Sequence, residues 1–148
     1  MGIRRRAREL SMQALFSMDA NQDASPQMLE LFCENFTPPK RALPFFTKLV
    51  NGVLKAKPQI DALIERFSKN WSVQRMGCVD RNVMRIAVFE MLFCSDIPPK
   101  VSINEAIDIG KKFGTEDSGA FINGIVDSIR IAIEKGEVQA QPLEINTE

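Results

Sequence analysis

At 148 residues, with 45% hydrophobic and 26% charged side chains, the chain has the composition of one soluble globular domain able to bury a core. Its 19 basic and 19 acidic residues cancel, so any attraction to a polyanion must come from a local patch. Histidine is absent, which removes the commonest general base and metal ligand, and three widely spaced cysteines (Cys33, Cys78, Cys94) argue against a disulfide framework or a zinc site and for a reducing cytoplasm.

Ile3 to Met18 reads as the first helix, with Ile3, Ala7, Leu10, Ala14 and Met18 on one apolar stripe. Met12, Leu15 and Phe16 widen that surface, so the second half is expected to be buried nearly all round. The first half carries Arg4, Arg5, Arg6 and Arg8, with Glu9 the only carboxylate before Asp19. Cations at a helix N-terminus oppose the helix dipole, and a sequence selected for stability alone would place acids there. Four guanidinium groups beside free backbone N–H groups predict an anion site for a phosphate backbone. The plainer alternative is a solvated charge tract. No continuous apolar stretch follows this basic start, so no signal peptide is expected.

Ser25-Pro26 is an N-cap followed by proline at the first helical position and opens a short helix through Phe36, which Thr37-Pro38-Pro39 ends. Pro44 predicts the start of a helix through Leu54, where Gly52 points to a close helix crossing. Pro58 predicts the start of a further helix, with Ile60, Leu63, Ile64 and Phe67 inward and Trp71 near its end. Ser72 to Gly77 reads as a turn or a single helical turn. Val79 to Cys94 is apolar on all sides at helical length and is the expected central helix; it is too short to span a bilayer and is interrupted by Glu90. Only its first turns keep a polar face, made by Asp80, Arg81, Asn82 and Arg85. Ser102 and Glu105 have capping-box spacing and predict the next helix start. After the tight link Gly114 to Ser118, the last helix carries Ile122, Ile125, Val126, Ile129 and Ile133 on one face and ends near Gly136. Residues 137–148 lack periodicity and are expected to be a disordered acidic tail behind a single domain over 1–136.

About seven helical segments without period-two alternation predict an all-α bundle. No phosphate-binding glycine loop, dinucleotide turn or serine nucleophile motif is present, so neither an enzyme nor a cofactor is expected. Lys111, Lys112, Phe113 and Phe121 combine cations with aromatics around a helix start, an arrangement on which single-stranded RNA bases stack. The alternative is that both phenylalanines are ordinary core residues.

Three blocks carry a resemblance: RRRARELSMQALF, DRNVMRIAVFEML and DIPPKVSINEAIDIGKKFGTEDSGAFINGIVD. Over about Arg4 to Ile133 the chain resembles the NusB family of bacterial transcription antitermination factors. The resemblance implies two packed helical bundles and binding of boxA-type single-stranded RNA together with the ribosomal protein NusE, within an antitermination complex on RNA polymerase. It implies an RNA surface at Arg4, Arg5, Arg6, Arg8, Phe113, Asp117 and Phe121, to which the residue reading adds Lys112. It implies a partner surface at Asp80, Met84 and Arg85, beside which Arg81 shares the same polar face. Phe16 stands where the family often has tyrosine. A related fold precedes some ribosomal RNA cytosine methyltransferases, but their cofactor domain has no counterpart here. The alternative from another class is a helical adaptor that binds only protein.

Overall fold

The computed structural model describes residues 2–143, and among them every regular element is helical. Six α-helices follow in order: α1 Ile3–Asn21, α2 Pro26–Phe36, α3 Leu43–Phe67, α4 Cys78–Phe93, α5 Pro99–Phe113 and α6 Ser118–Glu134. A 3-10 turn at Val73–Arg75 makes the seventh helical segment. α1, α2 and α3 form one set, α4, α5 and α6 the other, and α4 joins them by packing on α1, α3, α5 and α6. Every residue from Asn82 to Glu90 is buried, as the all-round apolar pattern predicts.

Local signals set most helix ends. Ser25 Oγ accepts from Met28 N–H at 3.3 Å, capping α2. α1 ends with Gln22 in the left-handed region (φ 51°), where Gln22 N–H reaches Asp19 O and Asp23 N–H reaches Met18 O, so the last carbonyls are satisfied. A side chain at Gly52 would overlap the Phe89 ring, so the glycine, which costs about 1 kcal/mol relative to alanine in a helix interior, permits the close α3–α4 crossing. At the α5–α6 crossing Gly110 makes room for Ile122 in the same way.

Two predicted boundaries are corrected. Pro58 does not begin a helix but lies inside α3. Phe46, Leu49, Val50, Val53, Ala56, Ile60 and Ile64 are all buried along its length, and that continuous stripe holds both halves in one element despite the hydrogen bond that proline removes. α5 starts at Pro99, not at a capping box on Ser102. Proline suits a first-turn position because its missing N–H would be unpaired there anyway.

Residues 137–143 carry no helix, in line with their lack of periodicity, yet they are docked rather than free. Val138 is buried, and Gln141 exchanges backbone hydrogen bonds with the Gln59 side chain at 3.0 and 3.1 Å. The rest of the expected tail, 144–148, lies outside the described residues.

Candidate nucleic-acid interface

The four arginines of α1 do not form one free cationic row. Arg8 is 3% exposed and forms a two-pronged pair with Glu90, both bonds 2.8 Å, while its third nitrogen reaches Glu105 at 2.9 Å. Glu90, itself 1% exposed, also accepts from Ser102 Oγ at 2.8 Å. Burial alone would lower the Arg8 pKa, but the Glu90 and Glu105 contacts outweigh it and raise it above the ordinary arginine value. Arg8 is therefore an internal cation that ties α1 to α4 and α5, and the expected phosphate contact there is withdrawn. The hint was Glu90 itself, a carboxylate in an otherwise apolar helix that requires a buried partner.

The neighbours of Arg8 are paired too. Arg5 donates to Glu105 and, at 2.9 Å, to Asp108, and these bonds raise its pKa. Arg4 reaches Asp96 at 3.2 Å with both groups exposed, which lowers the Asp96 pKa. Arg4 and Arg8 also flank the Phe45 ring, at 5.1 and 5.3 Å from its centroid. Arg6 stays exposed, 3.5 Å from Glu9.

Glu9 is shared. Lys112 reaches it from α5 at 3.0 Å, and the same ammonium lies 5.2 Å from the Phe113 ring centroid. Arg6, Glu9 and Lys112 thus leave one net positive charge at the meeting of α1 and α5, beside a half-buried aromatic ring. The α5–α6 link follows directly. Thr115 N–H donates to Ser118 Oγ at 2.9 Å, closing the turn. Asp117 occupies the N-cap of α6 and is exposed, but its side chain caps no N–H. Phe121, one turn further, is half-buried, beside the fully buried Ile122 of the core stripe. Arg6, Lys112 and Phe113 therefore lie together at the α1–α5 contact, while Asp117 and Phe121 follow across the link at the start of α6, where Phe121 meets Trp71.

The polar start of α4 divides differently. Asp80 is partly exposed, but Met84 is fully buried and Arg85 nearly so. Arg85 donates to both Asp61 oxygens at 2.8 and 2.9 Å and to Asp19 at 2.9 Å. Arg81 and Asn82 converge on the same Asp19 oxygen, at 3.0 and 2.9 Å. This network clamps α4 to the end of α1 and to α3, so Met84 and Arg85 are corrected from partner contacts to core residues and Arg81 is mostly engaged inside. The other side of that helix start is open. Val79 borders a groove of about 470 Å³ that Met12, Phe16, Phe32, Phe36 and Phe113 also line. Phe16, expected in the core, is 41% exposed there, on a groove that Phe32 and Phe36 of α2 border without closing.

These features define an all-helical protein with cations and half-buried aromatic rings along the α1–α5 contact and the start of α6. Among the described residues no carboxylate or cysteine cluster is placed to hold a metal ion, and no helix is long and apolar enough to cross a membrane. The NusB family profile matches residues 5–130. A transcription antitermination protein NusB of Desulfatibacillum aliphaticivorans is 56% identical over 137 residues, which cover 93% of this chain and 96% of that one. The solved NusB of T. maritima superposes with a TM-score of 0.80 at 41% identity, covering 91% of this chain and 97% of the other. A structure of antitermination factors NusB and NusE in complex with dsRNA gives 0.79 at 27% identity, covering 88% and 97%. The chain belongs to the NusB family, a family of transcription antitermination factors and not of enzymes.

Proposed function

We propose that the protein acts in the cytoplasm as a transcription antitermination factor. It binds boxA-like single-stranded RNA together with a ribosomal protein of the NusE kind and so joins the antitermination complex on RNA polymerase. The observation that carries this reading is the group of Arg6, Lys112 and Phe113, cations beside a half-buried aromatic ring, with Phe121 half-buried across the α5–α6 link, in a chain of this family. Unstacked bases need such rings, and a duplex hides its bases; the single strand is therefore the preferred form. The partner surface combines Asp80 with the apolar groove at Phe16 and Val79.

Equilibrium binding of a boxA-like oligonucleotide, with its duplex as control and with or without the ribosomal protein, tests the reading. Replacing Arg6 and Lys112 by Ala should weaken binding and flatten the slope of log affinity against log salt by roughly 1.4, at about 0.7 per phosphate contact. Asp117→Asn should tighten RNA binding several-fold at low salt, because the change removes an exposed carboxylate that repels phosphate. Weaker binding by that variant would mean the carboxylate accepts hydrogen bonds from bases. Asp80→Lys should weaken the ribosomal partner and spare RNA. A chain that binds the partner and no RNA would be the protein-only adaptor.

A further inference from the structure

The last turn of α3 and the connection from it to α4 hold a second set of cations. From Arg66 to Arg75 the sequence contains Arg66, Lys69 and Arg75 and no carboxylate. All three are exposed, and none appears in the ion pairs among the described residues. Between them stands Trp71, 53% exposed.

The backbone holds this indole in place. α3 stops at Phe67, and Lys69 and Asn70 both take the left-handed conformation, φ 59° and 65°, which residues with a Cβ adopt at a cost. Asn70 N–H donates to Glu65 O at 2.8 Å, and Ser68 Oγ lies within bonding distance of Glu65 O and Trp71 O, at 3.1 and 3.2 Å. So fixed, Trp71 meets Phe121 edge to face, centroids 6.5 Å apart at 70°. One turn beyond Phe121 lies Gly124, exposed and mid-helix, where an added Cβ would meet nothing within 4 Å. Internal packing gives no reason for a glycine there, though it leaves the helix backbone open to close approach.

Unpaired cations, an open indole and a second aromatic ring at its edge are the components of a single-strand platform: charge for the phosphates and ring faces for the bases. An acidic protein surface would pair with the cations but gives no role to an open indole beside a second ring, which a base does. We propose that Trp71 stacks a base of bound single-stranded RNA while Lys69 and Arg75 hold the phosphates on either side of it. The strand then continues from Phe113 and Phe121 past α6 onto the α3–α4 connection. This inference rests on the RNA reading above.

Trp71 is the only tryptophan, so its emission reports the contact directly. The full chain is titrated with a single-stranded RNA of about twelve nucleotides, within the span of such platforms, while the anisotropy of a dye on the RNA is followed in parallel. Tryptophan quenching that saturates with the anisotropy is expected. Trp71→Ala should weaken binding roughly tenfold, in the range of one lost base stack, and Trp71→Phe should restore most of it. Lys69→Ala with Arg75→Ala should flatten the salt slope by roughly 1.4. Anisotropy that rises while emission stays constant, with Trp71→Ala binding like the parent, overturns the inference and leaves the RNA reading standing. No anisotropy change at all overturns both. Quenching by the ribosomal protein alone, without RNA, also overturns it and assigns the connection to that partner.

Discussion

The start of α1 and the α3–α4 connection each present a cluster of cations, and they differ in what lies across from them. On α1, α4 and α5 supply Glu90, Glu105 and Asp108, the segment after α4 supplies Asp96, and Glu9 answers Arg6. On the connection, Arg66, Lys69 and Arg75 face no carboxylate among these pairs. The richer cluster by sequence is the poorer one in available charge. Counting arginines along a chain measures the supply of cations, whereas affinity for phosphate depends on what the fold leaves unpaired.

The comparison is broken most forcefully at Arg8. Arg8→Ala leaves the buried Glu90 carboxylate without a cation and should cost about 3–5 kcal/mol in urea unfolding, and Glu90→Ala, after which Arg8 keeps only Glu105, should cost less. Replacing both by methionine should recover most of the loss. If Arg8→Ala unfolds like the parent, Arg8 is a surface cation and the contrast fails.

A second effect appears in acid. Burial of Asp19 disfavours its carboxylate, but the Asn82 hydrogen bond and the Arg85 and Arg81 charges outweigh that and hold its pKa below the ordinary aspartate value. The stability this contributes is present above the unfolded aspartate pKa, about 4, and is lost as pH falls through the lower folded value. Asp19→Asn should therefore lower stability at neutral pH and flatten the acid limb of a stability profile; an unchanged limb would place the acid sensitivity elsewhere.

Asp108→Asn sharpens the comparison directly. It removes an exposed partner of Arg5, so RNA affinity should rise roughly twofold at low salt and the gain should fade with screening. No gain would mean that Glu105 alone keeps Arg5 from the strand. The smallest effect belongs to Gly124→Ala, which should add about 0.5–1 kcal/mol of stability. With an RNA strand passing close to α6, the same methyl should weaken RNA binding, and thermal melting and RNA titration read the two consequences separately.

Helices were legible wherever a local signal ended them. Ser25-Pro26 predicted the start of α2 and Thr37-Pro38-Pro39 its end, because caps and prolines act within one turn. The same logic misplaced the break at Pro58, where packing along α3 outweighed one lost hydrogen bond. It also misread Ser102 and Glu105, whose side chains serve Glu90 and the α1 arginines instead of a helix cap. Phe121 was legible as a border residue from its helical position, whereas Phe113 fell on the buried row of α5 by spacing and is only half-buried, because it is the last residue of that helix. Trp71 was visible as a residue but not as a site, since its exposure follows from two left-handed residues that no local rule announces.

The sequence by itself determined the helical class, the central place of α4 and the presence of a basic, aromatic segment around the α5–α6 link. Hydrophobic period and capping chemistry are properties of neighbours within a few residues, and a chain displays those directly. Only the tertiary structure decided which charges remain free. Arg8 and Glu90 are 82 residues apart, and Arg5 and Glu105 are 100 apart. An ion pair depends on distance in space, falling off over a few ångströms, and that distance is unset until α1, α4 and α5 have packed.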